Sequence, residues 1–91
     1  MIRSFRHKAL RELFEAGSSR GVRPDFRERA LARLDALDAA RTLEDVDLPS
    51  WRLHRLQGKP TRYALAVNGP WRITFEWEAG DAWRVDLEQY H

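Results

Sequence analysis

The sequence predicts an α+β fold in which two N-terminal helices pack on one face of a small antiparallel sheet. In the first half, apolar residues recur at helical spacing: Leu10, Leu13 and Phe14, then Phe26, Ala30, Leu34 and Leu37. From Trp51 onward the period becomes two. The period-two segments are apolar on one side only, and a sheet of that kind needs a covering layer, which the helices supply.

Each element has its own signals. Ile2 to Phe5 reads as a short strand. The first helix is expected over His7 to Ala16 and stops at Gly17, because glycine just past a last turn tolerates the left-handed conformation that ends helices. Ser18 to Arg23 is turn-rich. Pro24 opens the second helix, where a missing N–H costs nothing, and Asp25 in the first turn complements the helix dipole. That helix is expected to run to about Ala40, and the acidic stretch from Arg41 to Pro49 to wrap the core.

Trp51-Arg52-Leu53-His54 reads as a strand. Tyr63, Leu65 and Val67 alternate with Ala64, Ala66 and Asn68, a turn follows at Asn68-Gly69-Pro70, and Ile73, Phe75 and Trp77 alternate with Arg72, Thr74 and Glu76. After a turn at Ala79-Gly80-Asp81, the last strand is expected to place Trp83, Val85 and Leu87 on one face. Arg84, Asp86, Glu88 and Tyr90 fall on the other. Trp51, Trp71, Trp77 and Trp83 are all assigned to the core.

Ninety-one residues allow one core, so residues 1–91 are read as a single domain. With 43% hydrophobic residues, four tryptophans and four phenylalanines, the chain has the apolar surface to fold. The formal charge of +2 comes from arginine far more than lysine, and arginine suits bidentate contacts with phosphate and stacking on bases. The absence of cysteine excludes disulfides, thiolate metal sites and cysteine nucleophiles. No apolar run has the length of a signal peptide core or a membrane span, so a cytoplasmic protein without membrane contact is expected. His7, His54 and His91 are far apart with no metal-ligand spacing, and no Gly-rich phosphate loop occurs, so neither a metal nor a cofactor is expected.

With helices on one side, the other side of the sheet is expected to present Arg52 and His54, Arg72 and Thr74, and Arg84, Asp86 and Tyr90. His91 at the end of the last strand is a further imidazole with little packing reason to be there. RNA phosphodiester cleavage needs a base for the 2′-hydroxyl proton, a cation for the phosphorane oxygens and an acid for the leaving 5′-oxygen. Histidine, arginine and tyrosine fill those roles without metal. A structural reading fits the same residues: His54 as a surface histidine, Arg72 paired with Glu76 or Asp86, and Tyr90 packing the sheet edge. The helix cations, Lys8, Arg11, Arg20, Arg23, Arg27 and Arg29, interleave with acids and read as a solvated face.

Four segments carry a resemblance. Ile2-Arg3-Ser4-Phe5-Arg6-His7-Lys8-Ala9-Leu10 with Leu13-Phe14, then Leu53-His54-Arg55-Leu56-Gln57-Gly58, Trp71-Arg72-Ile73-Thr74-Phe75 and Glu88-Gln89-Tyr90-His91 together resemble the HigB toxins of the RelE superfamily. The resemblance covers essentially the whole chain. It implies a RelE-like two-layer sandwich and a toxin of a type II toxin–antitoxin system. The implied activity is that of a ribosome-dependent mRNA endonuclease, acting in the ribosomal A site beside 16S rRNA. It also implies a HigA-like helix-turn-helix antitoxin, held in a toxin–antitoxin hetero-oligomer.

Carried over by position, the resemblance makes His54 and His91 the active-site histidines, Tyr90 the penultimate aromatic and Arg72 the arginine near the scissile phosphate. Gln57 stands where the family often has lysine, and Gln89 where an acid often precedes Tyr-His. Arg55, Lys59 or Arg62 is available to supply the missing charge, and with Gln57 and Arg84 these form the expected RNA-contacting set. Which histidine is base and which is acid is left open by the residues alone. The alternative function is a catalytically weak or inactive RNA- or antitoxin-binding module on the same fold.

Overall fold

The computed structural model describes residues 1–89. It contains two helices, α1 (Lys8–Ala16) and α2 (Arg27–Ala39), followed by four strands, β1 (His54–Arg55), β2 (Tyr63–Asn68), β3 (Trp71–Glu78) and β4 (Asp81–Gln89). The strands form one sheet in the order β1-β2-β3-β4, every neighbour antiparallel. The expected α+β architecture, helices first and sheet second, is the one observed.

The helix boundaries follow from their caps. His7 caps α1, its Nδ1 accepting the Leu10 N–H at 3.1 Å, and Gly17 ends it in the left-handed conformation with φ 80°. The expected second helix is divided. Pro24–Phe26 forms a single tight turn, and the regular helix begins only at Arg27, because Phe26 adopts φ −130° and breaks the helical run. The acidic connection is more ordered than a plain loop. Thr42 and Asp45 form a capping box around a short turn at Leu43–Val46, and Asp45 Oδ2 accepts the N–H groups of Arg41 and Thr42.

The core lies between the helices and one sheet face. Leu10 and Leu13 from α1 and Ala30, Leu34 and Leu37 from α2 meet Leu65, Val67, Ile73, Phe75, Val85 and Leu87 of the sheet. Arg33, buried on α2, ties the two layers together. Its guanidinium donates to the carbonyls of Ala66 (2.6 Å) and Arg29 (3.0 Å) and lies 4.9 Å from the ring of Trp51. Burial, with Arg29 nearby, lowers its pKa, and the two carbonyls offset the cost of the desolvated charge.

Three expectations are corrected. The strand read over Trp51 to His54 is reduced to His54–Arg55, because Pro49 starts a tight turn through Trp51 and Arg52 then turns left-handed with φ 50°. In β4 the alternation slips at Arg84, which has φ 51°. Three β4 residues span two of β3, so Trp83 stands opposite Glu76 and Ala82 opposite Trp77. Trp83 therefore shares a face with Glu76 and not with Val85 and Leu87. As a result the tryptophans do not all join the core: Trp51, Trp71 and Trp77 flank it, partly buried, and Trp83 lies on the opposite side of the sheet.

The Ile2 to Phe5 segment makes two isolated parallel bridges to β4, Ile2 with Ala82 and Phe5 with Val85. Arg3 N–H donates to Ala82 O at 2.7 Å and Arg6 N–H to Val85 O at 2.8 Å, while Ala82 and Val85 N–H donate back to Met1 and Ser4 carbonyls at 3.0 Å each. Among the described residues no helix is long and apolar enough to cross a membrane.

Candidate active site

His54 stands on the short first strand, paired with Ala64 of β2. Its ring is oriented by the turn before it, Nδ1 lying 2.9 Å from the carbonyl oxygen of Arg52. A carbonyl only accepts, so Nδ1 carries the proton, and the neutral ring keeps its lone pair on Nε2. The left-handed Arg52 thus does two things: it stops the preceding turn and aims its carbonyl at the imidazole. The His54 side chain is exposed and so within reach of a macromolecule.

Strand register places the other groups. Residues directly opposite in an antiparallel sheet share a face, so His54, Ala64, Thr74 and Asp86 form one row and Ala66, Arg72 and Glu88 the next. His54 and Arg72 are two strand spacings apart, about 10 Å of backbone, a gap that a long arginine side chain narrows. The small Ala64 and Ala66 between them leave room. Two depressions of about 430 and 400 Å³ meet here, and His54 and Arg72 line both. The first is completed by Arg52, Trp71 and the Gly69-Pro70 turn, the second by Arg55, Leu56, Gln57 and Arg62.

The Glu88 carboxylate sits among these cations. Glu88 Oε2 accepts a hydrogen bond from the Arg62 guanidinium at 2.7 Å and another from the hydroxyl of Thr74, which is fully buried. Burial on its own would raise the Glu88 pKa. The hydrogen bonds from Thr74 and Arg62, with the charges of Arg62 and Arg72, outweigh it and hold the carboxyl below the usual range. The site is therefore a cationic surface with a fixed anion, Glu88, inside it.

Of the residues expected from sequence, His54, Arg55, Gln57, Arg62 and Arg72 are brought together. Lys59 and Arg84 are not among those lining the depressions, and Arg84 bonds instead to Glu76 at 3.3 Å. Tyr90 and His91 lie outside the described residues. Glu88 and Thr74 were not singled out by sequence reading, although alternation placed both on the polar face. Among the described residues, no three His, Asp or Glu side chains gather as a metal-binding group.

Residues 3–91 match the model of a family described as the RelE-like toxin of type II toxin–antitoxin system HigB. The chain belongs to the HigB-like toxin family. It is also 39% identical, over the full length of both chains, to a protein named endoribonuclease HigB from Proteus vulgaris. The helices-then-sheet order is consistent with the RelE-like fold of HigB-like toxins, and a toxin of a type II system has an antitoxin as its partner.

Proposed function

We propose that this HigB-like toxin is an endoribonuclease that cuts mRNA on translating ribosomes and so stops protein synthesis. The observation that carries the proposal is that His54 and Arg72 together line both depressions of a cationic sheet face, in a chain whose full-length relative is named an endoribonuclease. The proposed setting is the ribosomal A site in the cytoplasm. The proposed antitoxin is of the HigA type with a helix-turn-helix domain, held with the toxin in a hetero-oligomer.

The chemistry follows from the groups present. His54 Nε2, freed by the Nδ1 contact with Arg52, is suited to exchange a proton with the RNA. The 2′-oxygen loses its proton and bonds to phosphorus, the bond to the 5′-oxygen breaks, and that oxygen takes up a proton. Arg72 offers its donors to the nonbridging oxygens as their charge grows. His91 and Tyr90 are assigned to this reaction on the resemblance, one of the two histidines as base and a second group as acid. Arg55 and Gln57 at the rim are assigned to the RNA on either side, and Lys59 and Arg84 to more distant contacts. Docking on the ribosome holds the phosphate in line, so cleavage of free RNA is expected to be slow.

The test is to induce the wild-type chain, His54→Ala and His91→Ala in a bacterial host and to map mRNA breaks by primer extension alongside growth. Codon-phased breaks in wild type, reduced by about a hundredfold or more in His54→Ala, are expected from the loss of general acid–base catalysis. Growth arrest that persists in both variants would replace the nuclease with a binding module.

A further inference from the structure

Three arginines, Arg55, Arg62 and Arg72, line the second depression. Arg62 is held at both ends. Its carbonyl accepts the Leu56 N–H at 2.8 Å, closing the β1–β2 loop, and its guanidinium is bound by Glu88 at 2.7 Å, with the Thr74 hydroxyl 3.5 Å away. Glu88 in turn is fixed by Thr74, whose side chain is fully buried in the middle of β3, and it stands opposite Arg72 in the strand register. An exposed ion pair ordinarily contributes little, because two long side chains must be ordered to form it. Here the carboxylate is already ordered by a buried hydroxyl, and both members of the pair are only 31% exposed.

We propose that Glu88 is a positioning residue that withholds Arg62 from the RNA backbone, tethering its guanidinium to the sheet beside the depression that His54 and Arg72 line. This rests on the endoribonuclease reading for the presence of a phosphate, and it changes the role expected of Arg62 from RNA contact to tether. Without the tether, the Arg62 guanidinium is released to bind a phosphate of its own, and the strand is drawn off the line that His54 needs. Glu88 thereby selects which phosphate position the site holds, although it touches no RNA itself. The hydrogen bonds from Thr74 and Arg62 favour the charged form of its carboxyl, and so the tether.

The test reads phosphate contacts directly. A short single-stranded RNA methylated at every 2′-oxygen is titrated onto the full-length chain at several salt concentrations, so that binding is measured without cleavage. In Glu88→Gln, Arg62 is released, and the slope of log K against log salt is expected to steepen by about 0.7, the value of one added phosphate contact on a single strand. Adding Arg62→Ala to that variant restores the wild-type net charge and is expected to restore the slope. In wild type, the Arg62 side-chain NMR signals are expected to stay in place as RNA is added, a readout that does not depend on any variant folding.

An unchanged slope in Glu88→Gln, a steeper slope that Arg62→Ala leaves in place, no measurable binding at low salt, or Arg62 signals that move with RNA would each overturn the proposal. A failed slope test beside cleavage that requires His54 removes the tether and leaves the endoribonuclease. A steeper slope beside cleavage that survives His54→Ala removes the endoribonuclease assignment at this site and keeps the tether.

Discussion

Glu88 shows how a single side chain links the stability of this protein to its site. A carboxyl whose pKa is lower in the folded than in the unfolded chain adds stability that is complete above the ordinary glutamate range and lost as pH falls through the folded value. Asp45, bonded by the Arg41 and Thr42 amides, and Asp81, bonded by Arg3, act in the same direction. Glu88→Gln is therefore expected to be less stable than wild type at pH 7, with the gap closing once the wild-type carboxyl is protonated and resembles the amide. Urea unfolding across a series of acidic buffers measures this, and a gap that widens on acidification would contradict it. At this scale His54 and Arg72 were legible from sequence, since strand alternation and the family motifs mark them. The partnership of Glu88 with Arg62 was not, because Arg62 lies in a loop, where no periodicity says which way a side chain turns.

The elements were legible wherever periodicity is unbroken. The buried stripe of α2, the alternation of β3 and that of β2 as far as Ala66 stand where the sequence puts them; at the end of β2 the register shifts, and Asn68 pairs with Trp71 instead of following Ala64 and Ala66. Trp83 was misplaced because an extra residue at a bulge hides in an alternating pattern: Trp83 and Val85 are two apart, as residues on one face should be, and only the left-handed Arg84 between them reverses the phase. The strand expected at Trp51 failed for a local reason as well, since Pro49 favours the turn that replaces it. Packing between elements gives a sharper prediction. A Cβ added at Gly21 would lie 2.4 Å from the Cβ of Ala9 on α1, a contact between two short groups with nothing flexible to yield. Gly21→Ala is expected to destabilise the fold by about 1–3 kcal/mol. Adding Ala9→Gly should recover part of the loss, even though glycine in a helix costs about 1 kcal/mol. Thermal unfolding of the two variants is the measurement, and additive losses would refute the contact.

For the molecule as a whole, the controlling contact joins the beginning of the sequence to the last described strand. Phe5 pairs with Val85 and stacks at 5.8 Å on Phe14 of α1, so one half-buried ring connects a helix to β4. Phe5→Ala is expected to cost about 2 kcal/mol, less than a fully buried phenylalanine. It should also speed hydrogen exchange at the Val85 amide, which donates to the Ser4 carbonyl. Unchanged exchange there would show that β4 does not depend on the segment. The pairing also has a consequence for the order of synthesis. Residues 2–5 are made some eighty residues before their partners in β4, and before Glu88 with them. A nascent chain thus holds His54 and Arg72 without the strand that completes their surroundings. The candidate site of this toxin stays incomplete until β4 has been made.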